Sequence, residues 1–286
     1  MRYEAPESLD TAVALLAGAK GDARVLAGGT DLLVQMRSDV VEPELIVDIK
    51  KVPETRAIAK ENGGWRVGAA VTGAELREHS EVRATWPGVV EAANLIGSTQ
   101  IQGRATMGGN LCNGSPAADS VPALIAAGAI AAVAGPKGRR EIPVEDVMIG
   151  PRKLSLAKGE FLVSFFLPPR PKGSGDAYLR FIPRTEMDIA VVGAGVNLTV
   201  DGSGVVTAAR VSLGAVAAKV LLVPDAAQAI VGSRLDAPAQ ERLEAAARAA
   251  CRPIDDKRGT VEFRTQVAGV LTRRAALIAL ERARGH

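Results

Sequence analysis

Two stretches of the chain combine glycine pairs with small polar residues in a pattern suited to holding an anionic ligand. The first is Leu26-Ala27-Gly28-Gly29-Thr30-Asp31-Leu32, a strand pattern that runs through two glycines into a helix start. Consecutive glycines let backbone N–H groups converge into a nest, and the helix start adds partial positive charge, a combination that suits a diphosphate. The spacing lacks the Gly-x-Gly-x-x-Gly of a Rossmann turn, and no lysine follows the glycines as in a P-loop; alone, the pattern is also that of an ordinary turn. The second stretch is Thr106-Met107-Gly108-Gly109-Asn110-Leu111-Cys112-Asn113-Gly114-Ser115-Pro116-Ala117-Ala118-Asp119. Its hydroxyls, amides and carboxylate offer donors and acceptors, as phosphate, ribose and ribityl groups require. Its plain reading is a solvated loop with Asp119 capping the next helix, but two nests in one domain point to a ligand with two phosphates. A third pattern, Gly193-Ala194-Gly195, lies mid-strand with no helix after it, and is expected to serve close sheet packing.

Composition narrows what else the chain can do. Its 286 residues are about twice a typical domain, which favours two compact units. With 2 cysteines and 2 histidines, the chain alone supplies neither a four-cysteine cluster nor a three-histidine zinc site, so any iron–sulfur centre belongs to a partner. The aromatic residues (5 Phe, 2 Trp, 2 Tyr) are too few for the stacking platforms of single-stranded nucleic acid. The 35 basic and 32 acidic residues are nearly balanced, and the basic ones are scattered or doubled (Arg139-Arg140, Arg273-Arg274), which argues against DNA. A sequence pI near 9.0 then reflects solubility or an acidic partner surface. The longest apolar run, the 11 residues from Leu124 to Ala134, is well short of the roughly 20 that span a bilayer and reads as core. Met1 to Glu7 carries acids and a proline where a signal peptide needs an apolar core, so the expected location is the cytoplasm. Cys112 and Cys251 are expected to be reduced, and His79 and His286 to lie at the surface.

The elements that position these stretches follow from periodicity and punctuation. Ser8 caps a helix with an apolar stripe of Leu9, Ala12, Val13 and Leu16, stopped by Gly18. Arg24 to Leu26 is extended, a helix runs from Asp31 to Ser38, and Leu45 to Ile49 is a β-branched strand. Lys51 to Asn62, ending at Asn62-Gly63-Gly64, reads as a boundary, with a subdomain limit near residue 57. Trp65 to Ala70 is a strand, Thr72 and Glu75 have capping-box spacing for a helix to His79, and Gly88 to Ile96 is a second helix. Gly97 to Asp119 reads as a long functional loop, followed by a helix from Ser120 to Ala127 and strands at Ile130 to Ala134 and Phe161 to Leu167. The stretch from Pro168 to Gly175 is the clearest linker and marks the main boundary. Beyond it, strands at Ile189 to Val200 and Val205 to Leu213 flank a hairpin turn. Helices then cover Asp225 to Val231, Pro238 to Ala250 and Thr260 to Arg284, making a small α+β domain.

With both nests in this order and spacing, the chain resembles the FAD-binding medium subunit of the molybdenum hydroxylases, the xanthine dehydrogenase and carbon monoxide dehydrogenase family. The likeness spans nearly the whole chain. It continues through Gly159-Glu160-Phe161-Leu162, Tyr178-Leu179-Arg180 with Arg184, Met187-Asp188-Ile189-Ala190, and Asp256 to Arg264. The resemblance implies an α+β fold: a two-subdomain FAD-binding domain of the vanillyl-alcohol-oxidase/PCMH type, in residues 1–57 and 58–172, then a C-terminal domain in 176–286.

The resemblance also implies the site. Ala27, Gly28, Gly29, Thr30, Asp31 and Leu32 would wrap the diphosphate, while Thr106, Gly109, Asn110, Asn113 and Ser115 hold phosphate and ribityl oxygens. Asp119 would receive ribityl or ribose hydroxyls. Ile96 and Leu162 would make apolar contacts, Leu162 toward the flavin ring. Arg180 stands where many members have lysine, which keeps the charge but changes hydrogen-bond geometry. The implied function is electron transfer through FAD, from a partner small subunit with two [2Fe–2S] clusters to NAD, oxygen or a quinone. A molybdopterin-binding large subunit performs the hydroxylation, and the implied assembly is a dimer of heterotrimers. The two-cysteine count excludes the variant with an inserted [4Fe–4S] cluster. Two alternatives share the fold: a free-standing FAD-dependent reductase of the cell-wall precursor type, for which no clear catalytic Ser and Glu motif is found, and a flavin-free scaffold.

Overall fold

The computed structural model describes residues 1–285. The chain begins with β1 (Arg2–Glu4), α1 (Leu9–Gly18), β2 (Ala23–Leu26), α2 (Leu32–Arg37) and β3 (Leu45–Asp48), whose three strands form a parallel sheet in the order β1-β3-β2. The Ser8 hydroxyl accepts from the Thr11 N–H, and Leu9, Ala12 and Leu16 on the following turns are buried against Val47 and Ile49. Every residue of β3 is buried, as expected of the middle strand of a parallel sheet.

Two 3-10 turns (Ile49–Lys51 and Pro53–Thr55) lead into the second unit, which opens with β4 (Ile58–Glu61) and β5 (Gly64–Gly68). Lys51 to Asn62 is therefore not structureless: β4 lies within it. Asn62 and Gly63, at φ 47° and 77°, turn the chain tightly back into β5. Next come α3 (Gly73–Glu78), α4 (Ser80–Thr85), α5 (Pro87–Ala93), α6 (Met107–Cys112) and α7 (Ser120–Ala127). They are followed by β6 (Ile130–Gly135), β7 (Gly138–Pro143), α8 (Val144–Val147), β8 (Met148–Gly150), β9 (Lys153–Leu154) and β10 (Phe161–Leu167). The antiparallel sheet has the order β4-β5-β10-β6-β7. Its central strand, Phe-Leu-Val-Ser-Phe-Phe-Leu, serves two cores: Phe161 and Val163 pack with the first sheet, and Leu162, Phe165 and Leu167 with the helices of the second unit. The continuous apolar run of β10 thus reflects burial on both faces.

The remaining elements are β11 (Ser174–Phe181), β12 (Val192–Val200), β13 (Val206–Gly214), β14 (Leu221–Leu222), α9 (Pro224–Gln228), α10 (Ala237–Ala250) and α11 (Val261–Arg284). The four strands form an antiparallel meander in sequence order. The α+β class expected from sequence is the observed one. Residues 174–181, partly assigned to the linker, form a full strand, and the strand expected from Ile189 starts at Val192. Gly195 packs on the Pro122 carbonyl of α7, where a Cβ would stand 2.5 Å from the oxygen, so Gly193-Ala194-Gly195 does serve close packing.

Residues within and on both sides of 168–175 join the second and third units. Arg170 Nη1 donates to Asp176 Oδ1 at 2.9 Å, its guanidinium lying 4.6 Å from the Trp86 ring centroid. Arg282 Nη1 on α11 donates to Glu91 Oε2 on α5 at 3.0 Å and to the Asp176 carbonyl at 2.7 Å. On β11, Gly175 lies directly beneath α11, and a Cβ there would collide with the Ala279 carbonyl and stand 2.6 Å from the Ala283 nitrogen. Gly175→Ala is therefore expected to lose about 2–3 kcal/mol of stability, since backbone must move to admit the methyl. Urea unfolding tests this, and an unchanged midpoint contradicts the packing described.

Candidate functional site

A cleft of about 460 Å³ opens between the parallel sheet and α6, with the first nest on one wall and the second on the other. Gly28 lies against the Arg104 carbonyl, leaving no room for a Cβ, and this contact joins the first nest to the segment that leads into the second. Gly29 has φ 78°, a left-handed conformation that turns the chain from β2 into α2. Among the described residues, the backbone N–H groups of Gly28, Gly29, Thr30, Asp31 and Leu32 find no acceptor within the chain. Five successive open donors beside a cleft form an anion-binding surface built from backbone alone.

The second wall is α6, which lies inside the stretch expected to be a loop. It is six residues long and carries two glycines, so its periodicity is too short to read. The Thr106 hydroxyl caps it by accepting from the Gly109 N–H at 2.9 Å. Gly108 faces inward, where a Cβ would meet the Ala69 carbonyl, whereas a Cβ on Gly109 would touch only Thr106 Oγ1 at 3.1 Å. Asn110 Oδ1 accepts from the Ser120 N–H at 3.0 Å and from its hydroxyl at 2.8 Å, so the amide nitrogen is left to donate at the cleft. Asn113 bridges the walls: its Nδ2 donates to Asp31 Oδ1 at 3.1 Å, and its Oδ1 accepts from Gln35 Nε2 at 2.9 Å. An apolar floor of Ile96, Leu154, Leu156, Phe161 and Leu162 completes the cleft.

Of the residues singled out from sequence, Ala27, Gly28, Gly29, Thr30, Asp31, Leu32, Ile96, Thr106, Gly109, Asn110, Asn113 and Leu162 line this cleft; Ser115, Asp119 and Arg180 do not. Ser115 Oγ instead accepts from the Ala117 N–H at 3.2 Å in the turn before α7. Asp119 stands at the start of α7 but does not cap it, because its Oδ2 accepts from Arg180 Nη1 at 3.0 Å while Oδ1 is buried without a partner. Burial pushes the Asp119 carboxyl up to about 6 against the attraction of Arg180.

Cys112 also lines the cleft, and burial pushes its thiol up to about 12, which keeps it neutral. Both cysteines are free, as expected. His79 is half-buried, not simply at the surface: its Nδ1 accepts from Val82 N at 3.3 Å and its ring packs edge-on against Trp65, while His286 lies outside the described residues. Gln35 and Arg152 were not singled out from sequence. Gln35 is one turn after Asp31 on α2, a spacing that could have marked it; Arg152, at φ 56° beside Gly114, carried no such signal.

Residues 1–170 match the family described as the FAD binding domain in molybdopterin dehydrogenase, and residues 177–279 the CO dehydrogenase flavoprotein C-terminal domain. This chain is an FAD-binding medium subunit of the molybdenum hydroxylase family. It is similar to the carbon monoxide dehydrogenase medium chain of Afipia carboxidovorans, 36% identical over 99% of this chain and 97% of that one. The xanthine dehydrogenase FAD-binding subunit of Escherichia coli O157:H7 is 32% identical over the same shares, 99% and 97%. Among solved structures, reconstituted CO dehydrogenase from Oligotropha carboxidovorans superposes with a TM-score of 0.94 at 34% identity, covering 99% of this chain and 98% of that one. FAD is the cofactor of this medium subunit. The cleft fits it chemically: open N–H donors suit a diphosphate, Thr106 and Asn110 suit hydroxyl-rich linkers, and the apolar floor suits a ring system.

The glycines give this fit a test. In the medium subunit, Gly109→Ala places a methyl at the cleft wall without a backbone clash, and is expected to weaken FAD binding about tenfold with little change in melting temperature. Gly28→Ala should instead lower the melting temperature of the FAD-free protein, because the Arg104 carbonyl cannot give way. Flavin fluorescence titration and thermal melting separate the two; equal effects on both measures would contradict the assignment.

A pH effect follows from burial. Asp119 and Asp176 are both raised from 3.8 to about 6, mainly by burial, so the folded state holds their protons more tightly than the unfolded chain. Their contribution to stability is complete below the unfolded value and is lost as pH rises through the folded one. The FAD-free protein should lose stability between about pH 4 and pH 6, and Asp119→Asn should make that decline shallower. Urea midpoints across this range check it; an identical slope in the variant contradicts it.

Proposed function

We propose that this medium subunit carries FAD in the cleft between the nests and passes electrons from a partner's [2Fe–2S] clusters to an external acceptor, NAD, oxygen or a quinone. The observation that carries the reading is the run of five N–H groups without acceptors in residues that line the same cleft as α6 and an apolar floor. Bound FAD supplies one- and two-electron redox chemistry, and the chain supplies position and electrostatics.

Residues Gly28 to Leu32 hold the diphosphate, Asn110 and Thr106 hold oxygens between it and the ring, and Leu162 with Ile96 excludes water from the ring. Asn113 keeps the two walls together through Asp31 and Gln35. Asp119, Arg180 and Ser115 act from behind the cleft wall, the Asp119–Arg180 pair tying the start of α7 to β11. The proposed division of the chain at residues 57 and 172–176 lies just ahead of β4 and across the first residues of β11.

The proposed partners are a molybdopterin-binding large subunit and a [2Fe–2S] small subunit, in a cytoplasmic dimer of heterotrimers. The two-cysteine count and the medium-chain relatives support this division of labour. No helix among the described residues is long and apolar enough to cross a membrane. The protein purified with its co-expressed partners is expected to be yellow-brown, with one FAD per copy and an iron–sulfur protein co-purifying. A sample that stays free of flavin after saturation with FAD refutes the cofactor assignment, and purification without an iron–sulfur partner refutes the assembly.

A further inference from the structure

The first nest is anchored from behind by a network that crosses the carboxyl ends of all three parallel strands. Asp48, the last residue of β3 and 5% exposed, accepts from the Tyr3 hydroxyl of β1 at 2.5 Å and from Lys50 Nζ at 2.8 Å, both through Oδ2. Its Oδ1 accepts from the Lys50 N–H at 3.0 Å, which fixes the turn that carries the lysine. Lys50 Nζ then donates to the carbonyl of Ala27, immediately after β2, at 3.0 Å. Tyr3, Asp48, Lys50 and Ala27 thus link β1, β3 and β2 in their order across the sheet.

We propose that Lys50 is a positioning residue for the anion nest, holding the Ala27 carbonyl down so that the Gly28 N–H is aimed into the cleft. In a planar trans peptide the carbonyl and the following N–H point in opposite directions, so fixing one fixes the other. The Gly28 N–H is the first of the five donors without an acceptor, and no other side chain among the described residues bonds the Ala27 carbonyl. Asp48 pairs with the Lys50 ammonium at 2.8 Å and so fixes the donor beneath the Ala27 carbonyl. Lys50 is absent from the cleft wall itself, so its effect on a ligand passes through the Ala27–Gly28 peptide.

The inference rests on the FAD reading and deepens it, and one set of titrations distinguishes the two. FAD and, separately, ADP, which carries a diphosphate without a flavin, are titrated into the parent protein, Lys50→Met and Lys50→Arg, with the melting temperature of each ligand-free protein recorded. Lys50→Met keeps the aliphatic stem but loses the donor, and should weaken FAD and ADP alike by about tenfold. Lys50→Arg keeps charge and donor and should restore both to within about threefold of the parent. If Lys50→Met fails to fold, Lys50→Leu, which also has no donor, takes its place, with the same loss expected. Parent-like FAD affinity without the lysine overturns the positioning role. So does an equal loss in Lys50→Arg and Lys50→Met that tracks their melting temperatures. A parent that binds neither FAD nor ADP overturns the cofactor reading and this inference with it.

Discussion

The arrangement depends on one close approach: Gly28 against the backbone of Arg104. Neither loop forms a binding surface alone. The first offers open N–H groups but no opposite wall, and the second offers side chains on a helix whose own capping uses the Gly109 N–H. Backbone contact at Gly28, with the Asn113 bridge to Asp31 and Gln35, turns two loops 78 positions apart into one cleft. Other features serve this contact. Gly108 must lie flat on Ala69 for α6 to reach it, and β10 must be apolar on both faces to hold the parallel and antiparallel sheets together.

Much of this was legible in the sequence because the chemistry is local. Glycine pairs, a capping threonine at Thr106 and small polar residues mark both walls within short windows, and the capping box at Thr72 and Glu75 is present as read. What was not legible is what depends on distance or on weak periodicity. The six residues of α4 bury only Val82, β7 is an exposed edge strand rich in charge, and β11 begins inside a stretch that looks like linker. From sequence, Asp119 is expected to reach the ligand or cap a helix. Its pairing with Arg180, 61 positions away, turns it inward, and no spacing rule announces such a pair.

The fold also separates tasks. The first two units build the cleft, while the third packs β11 and β12 under α11 and meets the others through α7, Arg170 and Arg282. Buried carboxyls sit at that junction, Asp119 against Arg180 and Asp176 against Arg170. Ion pairs removed from water repay their desolvation only in good geometry, so these two pairs favour one fit between the units. A chain whose redox chemistry resides in a bound cofactor has little need of its own acids and bases, and the neutral Cys112 thiol at the cleft fits that economy.

The central claim is that backbone amides of the first nest hold the cofactor's diphosphate. Amide hydrogen exchange of the protein with and without saturating FAD addresses it most directly. The account predicts strong protection on binding at residues 28–32 and across 106–113, with the meander of 174–222 little changed. Saturation with FAD that leaves exchange at 28–32 unaltered would contradict it.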